Sequence, residues 1–173
     1  MAPKVPKRLR GPNGDVIPFR VAAKDSEDLA VVAAFLQDAI LPAAEMSYDP
    51  GTKRFVAILS RFRWERLEDG PTSEDGTQLY ERVHTALRFE EVASVRSVNI
   101  DRTDRKLMMN LLSIGWEKGE TAETVDLVFA DGATIRLDVA RLSCHVEDLG
   151  EPWVTPFRPD HDTTPDADGT SQV

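Results

Sequence analysis

The chain has 173 residues, 41% of them apolar, which is enough for one domain with its own core and too few for two well-filled ones. Its formal net charge of −9 disfavours non-specific attachment to nucleic acid or to anionic membranes. No apolar run approaches the ~18–20 residues that span a bilayer, and no apolar stretch follows the basic start, so neither a membrane span nor a signal peptide is expected. Cys144 is the only cysteine. That excludes an intramolecular disulfide and a thiolate-rich zinc site, and makes a reducing, cytoplasmic location the default expectation.

The charge is unevenly spread. Residues 1–24 carry Lys4, Lys7, Arg8, Arg10, Arg20 and Lys24 against Asp15 alone, for +5, whereas residues 147–173 sum to −6. Residues 1–16, with Pro3, Pro6, Gly11, Pro12 and Gly14, read as a flexible basic arm. Residues 160–173, rich in Asp, Thr and Pro, read as a disordered acidic tail. Residues 17–159 read as a single α+β domain. The polar loop at 68–77 does not divide it, because strand-like runs continue on both sides and a split would leave two undersized cores.

Residues 17–23 look like a short strand. Asp25 then opens a helix, with Asp28 three residues on and acidic groups at the positive end of the dipole. Leu29, Val32, Ala33, Leu36 and Ile40 recur at helical spacing and make one buried stripe, and Pro42 prevents the helix from continuing. Residues 44–48 alternate, residues 49–52 turn, and residues 54–64 return as a strand. Residues 79–89, 92–100 and 107–116 are further strands, the last the most apolar and placed centrally.

Residues 124–139 carry the clearest signal, two alternating runs flanking Asp131-Gly132. Val125, Leu127 and Phe129 must share a face with Ile135, Leu137 and Val139. Only a three-residue loop, Ala130-Asp131-Gly132, pairs odd positions with odd ones, with Gly132 in the left-handed conformation. Leu142, Val146 and Leu149 suit a short C-terminal helix closed by Gly150. Trp153 is expected to pack back on the domain near Leu149 and Pro152. The sum is an α+β fold: a strongly bent, mainly antiparallel sheet of about seven strands forming a half-barrel, with an N-terminal helix and a short C-terminal one. A pleckstrin-homology-like barrel is the alternative.

Few residue patterns carry chemistry. His84 lies on a polar strand face with Arg82 and Arg88, where it could act as a base or join an anion site, or simply meet solvent. Cys144-His145 beside Glu147-Asp148 names a nucleophile, a base and an acid, but adjacent residues point in different directions. In Arg61-Phe62-Arg63-Trp64-Glu65, cations alternate with aromatics, as a nucleic-acid or phosphate surface would require. The competing account makes Phe62 and Trp64 core and pairs the arginines with carboxylates. The candidate binding residues are therefore Arg61, Arg63, Glu65, Arg82 and His84. No catalytic set, metal site or cofactor is expected, since no phosphate loop, nucleophile elbow, metalloprotease motif or dinucleotide fingerprint occurs.

The order of several pieces is similar to a bacterial family known as domain of unknown function 2948. They are Glu27-Asp28-Leu29 with Gln37-Asp38-Ala39, the Arg61–Glu65 run, and Leu87-Arg88-Phe89 followed by Val92 and Val95. Phe129 to Gly132 with Ile135-Arg136-Leu137 follows, then Asp148-Leu149-Gly150 with Trp153 and Pro159-Asp160-His161. The resemblance covers roughly residues 19–161. It implies a cytosolic bacterial protein and brings no activity, cofactor or catalytic residue. The expected function is a non-catalytic macromolecule-binding or regulatory module with a protein partner. The alternatives are a small-ligand binder or enzyme using a pocket in the curved sheet, and RNA association through the basic arm.

Overall fold

The computed structural model describes residues 18–160; the basic arm, residue 17 and residues 161–173 of the tail lie outside the described residues. Strand β1 (Arg20–Ala23) leads into helix α1 (Ser26–Leu36). Asp25 caps the helix, its Oδ1 accepting the Asp28 N–H at 2.8 Å, and Leu29, Val32, Phe35 and Leu36 form the buried face. The helix is shorter than its apolar stripe predicts. Asp38 takes the left-handed conformation (φ 62°), and Ile40 belongs to strand β2 (Ile40–Pro42) instead of the helix.

The remaining strands are β3 (Met46–Asp49), β4 (Arg54–Phe62), β5 (Tyr80–Phe89), β6 (Val92–Val98), β7 (Met108–Lys118), β8 (Glu123–Phe129), β9 (Thr134–Val139) and β10 (Cys144–Thr155). All ten pair antiparallel in one sheet, in the order β1-β10-β5-β4-β2-β7-β8-β9-β6, with β3 also on β4. This corrects the expectation of about seven strands: β2, expected as the end of the helix, and β10, expected as a helix, are strands, and β2 and β3 lie along one edge of β4 on either side of a 3-10 turn at Ala43–Glu45. End strand β6 touches the β3–β4 corner. There the Val92 N–H donates to Lys53 O at 2.8 Å and the Tyr48 hydroxyl donates to Val92 O at 2.8 Å. Among the described residues no ladder joins the end strands β6 and β1, nor β6 to β3, so the sheet is open and the closed-barrel alternative falls.

The predicted C-terminal helix is also corrected. Leu142, Val146 and Leu149 have helical spacing, but Cys144 and Val146 alternate equally well with His145 and Glu147. Pairing decides between the two patterns: β10 has β1 on one edge and β5 on the other. Gly150 (φ 66°) sits in the register break between Leu149 and Trp153 rather than at a helix end.

The β8–β9 hairpin follows its alternation. Val125 faces Leu137 and Leu127 faces Ile135, and the Phe129 N–H donates to Ala133 O at 2.8 Å across a three-residue loop. Asp131 (φ 62°) joins Gly132 (φ 72°) in the left-handed region, which aspartate tolerates. The core lies between α1 and the inner sheet face, where Phe55, Ala57, Leu59, Leu87 and Phe89 meet Val32, Phe35 and Leu36. The opposite, outer face of β10, β5, β4 and β2 has no helix over it in the described residues.

Candidate functional site

The alternation of β4 puts Arg61 on the inner face, in line with Phe55, Ala57 and Leu59. A guanidinium therefore enters the core with none of its surface exposed. Every one of its donors finds an acceptor. Nε donates to Asp148 Oδ1 at 2.7 Å, and Nη2 donates to Asp148 Oδ2 and to Glu65 Oε1, both at 2.7 Å. Nη1 donates to Glu65 Oε2 at 3.0 Å and to Phe62 O at 3.4 Å. Glu65 reaches back because the chain leaves β4 through a 3-10 turn at Trp64–Arg66. Phe19 and Phe35 stand 5.4 and 5.7 Å from the guanidinium carbon, measured to their ring centres.

Burial by itself pushes the Arg61 pKa down. The hydrogen bonds and negative charges of Asp148 and Glu65 outweigh that and raise it above the ordinary arginine value. Asp148 also accepts from the Thr85 hydroxyl at 2.9 Å and the Phe19 N–H at 3.0 Å. The chain of charges continues from Glu65 to Arg63 at 3.6 Å, to Glu81 at 3.3 Å and to Arg66 at 2.9 Å. Cations and anions alternate along it, three of each, so it is electrically balanced. Arg61, Arg63 and Glu65 thus sit together in a closed network joining β4, β5, β10 and the chain before β1. A substrate could reach Arg61 only by displacing a carboxylate.

Arg82 and His84 lie elsewhere, on the outer face of β5. The Arg82 guanidinium donates to Ser60 O at 3.0 Å and covers the Phe62 ring at 5.8 Å. Burial lowers its pKa, and Asp38 opposes that shift. The His84 ring packs on Trp153 at 4.6 Å between centres. Trp153 is therefore on the sheet, with 37% of its surface exposed, and not packed at the end of a helix as expected.

These two rings border an apolar groove of about 760 Å³. Ile40, Ile58 and Ser60 form its floor, and Pro42, Met108 and Leu149 continue its walls. Met108 is 61% and Leu149 39% exposed. Further along the same strands, on the same face, lies a second hollow of about 610 Å³, bordered by Arg20, Arg54, Arg88, His145 and Glu147 over Val56 and Ala86. Of the residues around these hollows, sequence reasoning named only His84 as a candidate, because the others come from six strands. The available signal was β4 itself: Val56 and Ile58 make its second face apolar as well as the first.

Cys144 and His145 point to opposite faces of β10. The thiol is buried and burial pushes its pKa up to about 12, which removes it as a nucleophile. The imidazole faces the outer hollow, where burial and then the charges of Arg88, Lys24 and Arg54 lower its pKa, against Glu90. Among the described residues no three His, Cys, Asp or Glu side chains are grouped to hold a metal ion, and no helix is long and apolar enough to cross a membrane.

A family model described as a protein of unknown function, DUF2948, matches residues 19–161. No curated protein and no solved structure matches significantly. The match takes in nearly all the described chain, and the chain belongs to that family.

Proposed function

We propose that this DUF2948-family chain is a non-catalytic binding module whose outer sheet face receives a segment of a protein partner. The observation that carries this reading is a division of labour between the two faces of β4 and β5. Inside, Asp148 and Glu65 take up the Arg61 guanidinium in hydrogen bonds, while Arg63 Nε beside them is buried without a hydrogen-bond partner. Outside, Trp153, Met108 and Leu149 stay partly in water around a groove, an arrangement typical of contact surfaces rather than of a closed reaction site. Aromatic and methionine side chains are the groups that contribute most when such a surface is covered.

The test is capture from lysate with three baits: the wild type, Trp153→Ala, and Met108→Glu. Both substitutions sit on the outer surface, so melting temperatures should fall by no more than about 8 °C and both variants should stay folded. A protein retained by the wild type and lost by both variants supports the reading. Equal recovery by all three contradicts it, as does a turnover in an activity screen that survives blocking of the groove.

A further inference from the structure

The outer face has two chemically different ends, and together they specify what can lie along it. Directly opposed residues of antiparallel strands share a face. One row across the sheet is Ala22, His145, Arg88 and Val56; the next is Arg20, Glu147, Ala86 and Ile58. Then come Leu149, His84, Ser60 and Ile40, followed by Trp153 opposite Arg82 and Phe62. Ala22 and Ala86 are small, so the floor dips between the arginines. From Val56 to Phe62 the strand rises about 20 Å, the length of an extended segment of roughly six residues.

Charge then distinguishes the ends. Glu90 is the single carboxylate shared by Arg54 and Arg88, each at 2.9 Å. Arg20 and Glu147 are 3.9 Å apart, both well exposed. Asp49, opposite Arg54 on β3, is a further carboxylate there, so Arg20, Arg54, Arg88 and Lys24 stand against Glu90, Glu147 and Asp49, one positive charge in excess, and Lys24 lies close enough to act on His145. This is a cationic corner on a chain whose net charge is −9. The other end, around Ile58, Ile40, Met108 and Trp153, is apolar.

We propose that the groove takes an extended peptide segment of acidic-apolar character, its carboxylates at Arg54 and Arg88 and its apolar side chains against Ile58, Met108 and Trp153. This deepens the binding-module reading and rests on it. A single nucleic-acid strand fits the same surface less well. Glu45 borders the apolar end and Glu147 the basic one, so a phosphate backbone would meet a carboxylate at both, and the few cations present are partly paired. A peptide carries its charge at chosen positions and avoids both.

The experiment is selection of a phage-displayed random heptapeptide library on the full chain, followed by fluorescence-anisotropy titration of the synthetic winners and of an oligouridylate probe. Winners should concentrate Asp or Glu toward one end and Leu, Ile, Phe or Trp toward the other. Arg54→Glu and Arg88→Glu should weaken their binding about tenfold or more. Arg88→Gln, which removes the charge without repelling Glu90, should weaken it several-fold, so a folding defect in the reversals would not decide the result. Trp153→Ala should weaken binding from the other end. Winners with no acidic preference, or binding indifferent to the arginine substitutions but lost in Trp153→Ala, overturn the proposal and leave the binding module standing. Winners that ignore both ends, or no winners at all, overturn the two together. Oligouridylate binding that the same variants abolish, without peptide winners, assigns the face to nucleic acid instead.

Discussion

Arg61→Met should be the most damaging single substitution on the inner face. Methionine nearly fills the space but donates nothing. Glu65 then loses both of its hydrogen bonds to Arg61, at 2.7 and 3.0 Å, and keeps Arg63 at 3.6 Å. Asp148 retains the Thr85 hydroxyl and the Phe19 N–H but loses its two shortest bonds. Two buried carboxylates would face each other with no cation between them. Breaking a buried ion pair from one side costs about 3–5 kcal/mol, and roughly 4 kcal/mol is expected here because Asp148 keeps two neutral partners. At about 2–4 °C per kcal/mol for a chain of this size, the melting temperature should fall by roughly 8–16 °C. Urea unfolding followed by tryptophan fluorescence measures it directly. Adding Asp148→Asn to Arg61→Met leaves Arg63 and Arg66 against Glu65 and Glu81, a balanced set, and should restore at least half of the loss. A single-variant cost under about 1 kcal/mol, or a double variant no better than the single, would refute the view that charge balance holds this network.

Three other outcomes follow. Asp25→Ala should destabilise by about 1 kcal/mol in the same assay, because it removes the cap on the Asp28 N–H. Trp153→Ala should cost only about 1–2 kcal/mol, since the ring is 37% exposed and its one aromatic neighbour is His84; a loss above about 4 kcal/mol would place the indole in the core instead. The Cys144 thiol, buried and raised to about 12, should resist a disulfide reagent at pH 8 until urea unfolds the chain. Rapid labelling of the native protein would contradict its position.

The parts of the fold legible in the sequence were those set by local pattern. The β8–β9 register could be read because six apolar residues and one turn admit a single pairing. The Asp25 cap could be read because its partner is three residues away. What stayed hidden depends on distant pairing. Residues 141–149 fit two periods, and only β1 and β5, from much earlier in the chain, select the strand. Arg61 reads as a solvent-facing cation until Asp148, 87 residues on, is brought beneath it. The alternative that paired these arginines with carboxylates had the right chemistry. It was also right to bury Phe62 and Trp64, which are 0% and 8% exposed; what it missed is that Arg61 takes the inner position too, while Phe62 packs with Trp64 and Tyr80 on the other side of β4. The groove is assembled from β2, β4, β5, β7 and β10, so no stretch of sequence contains it.

The chain has three tryptophans, which makes the indole N–H signals a direct report on the outer face. Trp64 Nε1 donates to Gln37 O at 3.1 Å and Trp116 Nε1 to Glu123 Oε2 at 3.0 Å, both away from the groove. In a nitrogen-15 NMR titration of the full chain with a selected acidic-apolar peptide, the Trp153 indole and the amides of Ile58, His84 and Ala86 should shift together and saturate, while the Trp64 and Trp116 indoles stay in place. Saturable shifts centred on Trp116 or on Arg61 and Glu65, with Trp153 unmoved, would contradict a binding module that works through this face.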